Sequence, residues 1–274
     1  TISLEDGLSQ SVVHTMLQDS QGFMWIGTQD GLNRFDGYEF KIFKHDPEDP
    51  KSLSNNYILA LAEGQDGDIW IGTNGGGLNR LDRETGEFIK YFPEPKDPQS
   101  LADSVVCELF VDDDGVVWIG TDSGGLHRYE SSTDSFTVFQ YNRARQDSLG
   151  GVDVNELFQD EEGRLWVGLA DGGLNLFLPE SETFQRYPVD PEDPAALSGE
   201  NVATITQDQE GFIWIGTTGA GLNRLDPITN TFLHFKAFPG NVYALANASV
   251  NAIHESADGV LWVGTHGGGL QQYD

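Results

Sequence analysis

The chain has little cysteine, little positive charge and no long apolar run. Among 274 residues there is a single cysteine, Cys107, so no disulfide can form within the chain. Lysine and arginine number 15 against 44 aspartates and glutamates, which gives a formal net charge of −29. A surface of that sign repels nucleic acid and anionic membranes, and it argues against both as partners. No apolar run reaches the roughly 18 residues that a membrane-spanning helix needs, so we expect no membrane insertion of this segment.

Tryptophan is spaced with a regularity that sets the architecture. All six tryptophans stand in variants of one motif, of which MWIGTQDGLNRF and IWIGTNGGGLNRL are the first two. Successive tryptophans are 45 residues apart once and then 48 residues apart four times. A period in this range is typical of an array of repeated supersecondary units. The six units are centred on Trp25, Trp70, Trp118, Trp166, Trp214 and Trp262.

Each unit predicts four short antiparallel strands. An apolar stretch such as residues 57–62 is followed by a Gly/Asp turn, the tryptophan strand, a glycine-rich turn, a strand like LNRL and an outer strand like FIKYF. The tryptophan strand is apolar on both faces, so its sheet must be covered on both sides. We predict an all-β fold, a β-propeller of six four-stranded antiparallel blades that form a single domain over residues 1–274. A single sandwich or an up-and-down barrel would not give this period.

Aspartate and glycine recur in the turn before each tryptophan strand. Asp hydrogen-bonds its own backbone in tight turns, and glycine supplies the positive φ angle. We therefore predict that these aspartates are structural. A calcium loop is the alternative, but the spacing does not set alternate oxygens around one ion. The aspartates are Asp19, Asp66, Asp112, Asp160, Asp208 and Asp258.

The two ends of the chain suggest how the ring of blades closes. After Trp262 the sequence provides one further strand, LQQY, while residues 1–4, TISL, precede the first unit without a place in it. We predict that this N-terminal segment pairs with the last blade as its fourth strand, because closure removes an exposed sheet edge. The alternative is a fragment of a larger propeller whose ring is open or is completed by another molecule.

The repeat motifs resemble a known family. The segment GLSQSVVHTMLQDSQGFMWIGTQDGLNRFDGYEF and the last unit, SVNAIHESADGVLWVGTHGGGLQQYD, are similar to the two-component regulator propeller repeat, and the resemblance covers essentially the entire chain. It implies the periplasmic sensor domain of a membrane-anchored hybrid histidine kinase or diguanylate cyclase. The implied role is a non-catalytic, ligand-sensing module in two-component or cyclic-di-nucleotide signalling. Sensors of that family typically carry two seven-bladed propellers and an output domain, whereas this sequence has six repeats and no kinase or cyclase motif.

The loops that lead into the predicted first strands are long and rich in proline and aspartate, whereas the opposite turns are short. Elaborated loops on a rigid scaffold commonly carry function, so we predict a ligand site on the face they form. The expected ligand is a small molecule or an oligosaccharide, and the expected protein partners are neighbouring sensor or output domains. The Asn and Asp candidates are also residue types that commonly close a turn, and for His266 a solvent-exposed loop histidine is the ordinary alternative. The candidates are Asn55, Asn56, Asp103, Asp153, Asn201, Asn247, Asn251 and His266.

No catalytic constellation is visible, and we predict a non-enzyme without a metal or cofactor. The six histidines occupy different places in the repeat, and no two have a metal-ligand spacing such as H-x-x-x-H. Two alternatives stay open. One is a lyase or hydrolase that uses His14 and His254 on predicted first strands. The other is a protein-interaction scaffold, for which the apolar loop residues Phe238, Val242 and Tyr243 are the local indication.

Overall fold

The computed structural model of the chain describes residues 3–190, 193, 195–238, 240–241 and 243–273. The described residues form strands and loops, with one short 3-10 turn at Leu4–Asp6. The chain divides into two compact units, residues 1–138 and 139–274. The predicted all-β class is confirmed, and the strands form six antiparallel sheets, which we number in chain order.

The first unit contains sheets 1 to 3, each with four strands hydrogen-bonded in chain order. Sheet 1 consists of β1 (Val13–Gln18), β2 (Met24–Thr28), β3 (Gly31–Phe35) and β4 (Phe40–Phe43). Sheet 2 consists of β5 (Ile58–Glu63), β6 (Ile69–Thr73), β7 (Leu78–Leu81) and β8 (Phe88–Tyr91). Sheet 3 consists of β9 (Val106–Val111), β10 (Val117–Thr121), β11 (Leu126–Glu130) and β12 (Ser135–Phe139), whose last residue begins the second unit.

The second unit contains sheets 4 to 6, which repeat the same order. Sheet 4 consists of β13 (Val154–Gln159), β14 (Leu165–Leu169), β15 (Leu174–Leu178) and β16 (Thr183–Tyr187). Sheet 5 consists of β17 (Val202–Gln207), β18 (Ile213–Thr217), β19 (Gly221–Asp226) and β20 (Thr231–Phe235). Sheet 6 consists of β21 (Val250–Glu255), β22 (Leu261–Thr265) and β23 (Gly269–Tyr273).

Sheet 6 differs from the predicted four-stranded blade, because it has three strands among the described residues. Within the segment predicted as its fourth strand, Thr1 and Ile2 lie outside the described residues. Leu4 begins the 3-10 turn instead of a strand, since the Ser3 hydroxyl accepts the Glu5 N–H and the Asp6 carboxylate accepts the Ser3 N–H. Closure of the ring by residues 1–4 stays a prediction.

Aspartates in the turns before the tryptophan strands hold those strands by hydrogen bonds, in agreement with their predicted structural role. In sheet 4 the Asp160 carboxylate accepts the backbone N–H of Arg164 at 2.9 Å and the indole N–H of Trp166 at 2.7 Å. One buried carboxylate therefore closes the turn and satisfies the indole nitrogen of a buried ring. Sheets 1, 3 and 5 repeat the indole contact through Asp19 to Trp25, Asp112 to Trp118 and Asp208 to Trp214.

Candidate functional site

The long inter-sheet loops, which join the last strand of one sheet to the first strand of the next, are internally bonded. In the loop before sheet 4, the Ser148 hydroxyl donates to the carbonyls of Asn142 and Arg145 and accepts the Asn142 N–H. The loop is then closed by an isolated parallel bridge between Tyr141 and Leu149, and Leu149 is fully buried. Ser52 and Ser100 fasten the loops before sheets 2 and 3 in the same way.

A side chain at the second or third position of each third strand holds the segment that leads into the first strand of its sheet. In sheet 2 the Asn79 side-chain oxygen accepts the N–H of Ser54 at 2.9 Å. In sheet 3 this residue is His127, whose Nε2 accepts the N–H of Ala102 at 3.0 Å. We call these six side chains the loop anchors. The other four pairs are Asn33 with Ser9, Asn175 with Gly150, Asn223 with Ser198, and Gln271 with Ala246.

His127 is the one loop anchor with a titratable side chain, and it is fully buried. Because its Nε2 accepts a hydrogen bond, its ring must be neutral with the proton on Nδ1. Burial lowers the pKa of His127 from its ordinary value to about 4, since charging the ring in this apolar setting is unfavourable. His127 can therefore accept the Ala102 N–H only while its ring is unprotonated.

The inter-sheet loops and the turns between second and third strands share one face, as predicted. In sheet 2 the Asn55 amide donates to the Asn74 carbonyl at 2.9 Å. In sheet 3 the Asp103 carboxylate accepts the N–H and the hydroxyl of Ser123 at 2.8 and 2.7 Å. In sheet 5 the Ser198 hydroxyl donates to the Ala220 carbonyl at 3.3 Å. We call this surface the loop face of each unit.

Three of the predicted ligand residues in the first unit have side chains bonded to neighbouring protein groups. Asn55 accepts the Tyr57 N–H in addition to its contact with the turn, and Asn56 accepts the His45 N–H at 2.7 Å. Asp103 accepts the Val105 N–H besides binding Ser123. Burial alone would raise the pKa of Asp103. The hydrogen bonds from Ser123 and Val105 outweigh this effect, so the pKa of the Asp103 carboxyl lies below its ordinary value.

In the second unit, the predicted residues Asp153, Asn201 and Asn247 also serve the loop face. The Asp153 carbonyl accepts the Ala170 N–H, and the Asn201 carbonyl accepts the Thr218 N–H, each at 2.9 Å. The Asn247 side-chain oxygen accepts the Ser249 N–H at 2.9 Å. Asn247 thus closes a turn with its side chain, whereas Asp153 and Asn201 contribute backbone carbonyls that any residue would supply.

Asn251 and His266 in sheet 6 differ from the other candidates, because both side chains are exposed. Asn251 is the second residue of β21, and His266 follows β22, where its backbone N–H donates to the Ser249 carbonyl at 2.9 Å. Their polar atoms face solvent and can contact a ligand without breaking a structural hydrogen bond.

An open cavity of about 580 Å³ lies on the loop face of the second unit. It is formed by the inter-sheet loop before sheet 5, the turn after β18, and residues 234–237 at the end of β20. Its polar lining includes Asp190, Asp193, Ser198, His234 and Lys236. None of the eight predicted residues lines it, although the predicted loop and turn do. The volume is typical of a site for a small molecule.

The cavity offers both signs of charge together with neutral donors and acceptors. His234 is held in place, since its Nε2 contacts the Ala196 carbonyl at 2.7 Å. Lys236 is exposed and brings an ammonium group, whereas Asp190 and Asp193 bring carboxylates. Such a lining suits a zwitterion or a polyhydroxyl compound, because each presents donors and acceptors together.

Sequence analysis did not single out Glu156, a partly buried carboxyl group in β13. Burial raises its pKa to about 7, and the backbone N–H of Ile205, 3.5 Å from its Oε1, opposes this only in part. The corresponding residues of the first strands are Thr15, Ala60, Glu108, Thr204 and Ala252. A glutamate where most repeats have a small residue is the signal that could have found it.

The apolar loop residues noted in the sequence lie beside a second open cavity of about 540 Å³ in the second unit. Phe238 is 59% exposed and Tyr243 is 97% exposed, and both line it; Val242 lies outside the described residues. Phe235 and Tyr273 complete its aromatic wall. An exposed apolar surface of this kind is typical of a site that contacts another molecule.

Five segments of the chain match the family model described as two component regulator propeller: residues 7–30, 52–75, 100–123, 196–219 and 244–267. The chain carries two-component regulator propeller repeats. The resemblance noted in the sequence is confirmed, and the six antiparallel sheets correspond to propeller blades. No helix among the described residues of this propeller chain is long and apolar enough to cross a membrane.

Individual relatives place the repeats in larger proteins. Over 49 residues the propeller chain is 57% identical to histidine kinase P4 of Formosa agariphila, an alignment that covers 18% of this chain and 4% of the kinase. It is similar to the extracellular domain of BT3049 from B. thetaiotaomicron, assigned as a hybrid two component system, with 27% identity and a TM-score of 0.74. That match covers 99% of this chain and 41% of the other, so the chain spans less than half of that domain.

Propellers with other activities share the fold. Virginiamycin B lyase from Staphylococcus aureus superposes with a TM-score of 0.66 at 16% identity, covering 97% of this chain and 85% of the lyase. At that identity the likeness concerns the fold alone. Among the described residues, no three His, Cys, Asp or Glu side chains are grouped so that they could hold a metal ion.

Proposed function

We propose that the chain is an extracytoplasmic, non-catalytic sensor module of a two-component or cyclic-di-nucleotide signalling protein. The observation that carries this proposal is its likeness, over 99% of its length, to the extracellular domain of a protein assigned as a hybrid two component system. The five family matches support the same reading. The module would pass its signal to neighbouring sensor or output domains of a membrane-anchored protein.

We further propose that the ligand binds in the 580 Å³ cavity on the loop face of the second unit. The loops around it are fastened by Asn223, which accepts the Ser198 N–H, and by His234. A site held in this way is already formed before the ligand arrives, which lowers the entropic cost of binding. A small zwitterion or an oligosaccharide matches its charges and volume.

The use of the histidines supports a non-catalytic role. The His45 ring contacts the Leu53 carbonyl, His127 is a loop anchor, and His234 contacts the Ala196 carbonyl. The His14 ring lies 4.9 Å from the Tyr57 ring. Each of the three hydrogen bonds engages one ring nitrogen, and the fully buried His127 ring cannot reach a substrate, which rules it out as a general base.

A thermal-shift screen tests this function. The purified chain is heated with a panel of amino acids, oligosaccharides and divalent metals that includes calcium. We expect a saturable rise of several degrees in the unfolding midpoint with one compound class, because a ligand at 100 times its Kd stabilises by about 2.7 kcal/mol. The rise should vanish in Lys236→Met and Asp190→Asn, and it should persist in Lys96→Met, which changes an exposed loop lysine of the first unit.

Two results of the screen would count against parts of the proposal. A shift that survives both cavity variants but is lost in Asn251→Ala or His266→Ala would move the site to sheet 6 and leave the sensor function intact. A panel that shifts neither the parent nor any variant would contradict ligand sensing by this chain.

The second candidate function is a protein-interaction scaffold. The exposure of Phe238 and Tyr243, which line the second cavity, favours it, since exposed apolar surface on a rigid domain commonly marks an interface. A sensor and a scaffold are compatible, because a sensor propeller must contact its neighbours.

A further inference from the structure

The turn between the third and fourth strands of a sheet can place a side-chain acceptor against the preceding sheet. In the turn between β11 and β12, the Asp134 carboxylate accepts the Tyr91 hydroxyl of sheet 2 at 2.7 Å and the Tyr129 hydroxyl of sheet 3 at 2.8 Å. In the turn between β19 and β20, the Asn230 side chain accepts the Tyr187 hydroxyl of sheet 4 at 2.9 Å. An acceptor oxygen from the turn thus joins sheet 2 to sheet 3 and sheet 4 to sheet 5.

The corresponding turn of sheet 2 carries a glycine at this position. Gly86 lies 48 residues before Asp134, and both residues have a positive φ angle, 75° and 50°. The two tyrosines that bind Asp134 correspond to Phe43 and Leu81, which have no hydroxyl group. A Cβ at Gly86 would meet no atom within 4 Å. Between sheets 1 and 2 the repeat therefore supplies no acceptor oxygen, and the space beside this turn is open.

Sheets 1 and 2 form a small open cavity at this turn, with a volume of about 180 Å³. Trp25, Phe43 and Leu81 provide an aromatic and apolar part of its lining. The volume equals that of roughly six water molecules in the liquid, which is enough for a small organic molecule. Three of the 15 lysines and arginines also line this cavity, although the chain has a net charge of −29. They are Arg34, Lys41 and Arg83.

The three cationic side chains differ in how their charge is neutralised. Arg83 forms ion pairs with Asp19 at 2.7 Å and with Glu63 at 3.0 Å. Arg34 and Lys41 take part in none of the ion pairs in the part of the chain that the structure describes. Two positive charges at the cavity are thus not matched by a carboxylate in direct contact.

Arg34 and Lys41 are also directly opposite each other in the sheet. They are paired across β3 and β4, and like charges in this arrangement destabilise a sheet. In sheets 2 and 5 the residue opposite the corresponding arginine is apolar, Ile89 or Leu233. The Lys41 Nζ lies 4.8 Å from the centroid of the Phe43 ring, which holds the ammonium group at the cavity. An anion bound between the two cations would remove their repulsion.

Two carboxylates close to the cations are engaged in turns. Asp82, which lines the cavity, and Asp36, which follows β3, each accept two backbone N–H groups of their own turn. These hydrogen bonds fix the carboxylates at the turns, so neither reaches across to Arg34 or Lys41. The N–H groups of the two cations can therefore bind a small anion.

We propose that the cavity between sheets 1 and 2 binds a small organic carboxylate, whose oxygens take the place that the Asp134 carboxylate has between sheets 2 and 3. Arg34 and Lys41 supply positive charge and N–H donors, which form strong hydrogen bonds to a carboxylate. Trp25 and Phe43 cover its short carbon chain. The site is formed by residues of the first unit alone, so it does not depend on the ligand proposed for the loop face.

Succinate and its uncharged analogue succinamide test this site. The chain is heated with each compound at an ionic strength held constant with sodium chloride. We expect a saturable rise of several degrees in the unfolding midpoint with succinate and no rise with succinamide. Lys41→Met should weaken the apparent affinity for succinate by about tenfold or more, because it removes one of the two charges. Lys96→Met and Lys236→Met, which change lysines outside this cavity, should respond as the parent does.

Substitutions at Gly86 separate occupation of the cavity from a change at the turn. Gly86→Asp supplies a carboxylate from the chain itself, at a backbone conformation that Asp134 already adopts. We expect this variant to lose the response to succinate. Gly86→Ala should keep the response, since its methyl group leaves the cavity open, even though the positive φ angle lowers the midpoint of the variant itself.

Three results would overturn the proposal. One is a midpoint that succinate leaves unchanged, or raises without saturation and equally in all variants, as a general salt effect does. The second is a saturable response that persists at full affinity in both Lys41→Met and Gly86→Asp. The third is a stronger saturable response to inorganic phosphate than to succinate, which would assign the cavity to another class of anion.

Discussion

Replacing Gly72 with alanine should lower the free energy of unfolding by about 2–3 kcal/mol, in the range of overpacked cores. Gly72 lies in β6, where a Cβ would stand 2.7 Å from the Val106 carbonyl oxygen, 2.8 Å from the Val106 Cγ1 and 3.2 Å from the Ala60 Cβ. The nearest atom belongs to the backbone of β9, so the contact between sheets 2 and 3 must widen. Thermal unfolding followed by circular dichroism measures the effect as a midpoint lower by several degrees.

Gly264 provides the matched control, because it occupies the same place in β22 of sheet 6. A Cβ there would meet only Ala252, at 3.5 Å or more, which is ordinary van der Waals contact. We expect Gly264→Ala to leave the midpoint unchanged or to raise it slightly, since alanine reduces the entropy of the unfolded chain. Equal losses in the two variants would contradict the packing of sheet 3 against Gly72.

Replacing His127 with asparagine should remove about 3 kcal/mol of the stability that the chain loses between pH 7 and pH 4. The folded pKa of His127 is about 4 against 6.5 for the free side chain. The neutral ring therefore contributes its full stability above pH 6.5 and loses it as the pH falls toward 4. A shift of this size corresponds to about 3 kcal/mol at pH 4. Asparagine serves as the loop anchor in four other sheets and does not titrate.

Urea unfolding at pH 7 and pH 4 measures this effect. Many carboxylates also titrate in that interval, so the informative quantity is the difference between variant and parent. We expect the stability lost between the two pH values to be smaller by about 3 kcal/mol in His127→Asn. His266→Asn, which changes an exposed histidine, should behave as the parent does. An identical acid response in His127→Asn and the parent would contradict the neutral, buried ring.

Much of the fold could be predicted from the sequence, because the same strand-and-turn pattern occurs in six repeats. The tryptophan period predicted the six sheets, and the turn aspartates such as Asp160 were correctly interpreted as structural. Sheet 6 was predicted with four strands, of which the described residues show three. Within the segment assigned as the fourth strand, the Ser3 capping box favours a turn over Leu4–Asp6, and closure of the ring by residues 1–4 stays a prediction.

The candidate site was less predictable, for a physical reason. Asn and Asp at the end of a loop can bind a ligand or close the loop, and composition does not distinguish the two uses. In the structure, the side chains of Asn55 and Asp103 form hydrogen bonds to the turns of the loop face. The cavity is lined by residues such as Asp190 and Lys236, which meet only once the loop before sheet 5 folds against the end of β20.

Sequence analysis did not identify the loop anchors, although they occupy the same position in every repeat. Asn79 and Ser54 are 25 residues apart, as are His127 and Ala102, yet neither residue stands in a local motif with its partner. The constant position of Asn, His or Gln after the turn glycine was the available signal. It was hidden because His127 and Gln271 differ in chemistry from the asparagines while accepting the same backbone N–H.

The most direct test of the sensor account is hydrogen–deuterium exchange of the chain, free and saturated with the compound that raises its unfolding midpoint most in the screen. The account predicts slower amide exchange in the segments that line the loop-face cavity, namely residues 195–198, 218–220 and 234–237. Sheets 1 to 3 should exchange as in the free chain. Protection confined to other segments, or no change at saturation, would contradict a ligand site on the loop face of the second unit.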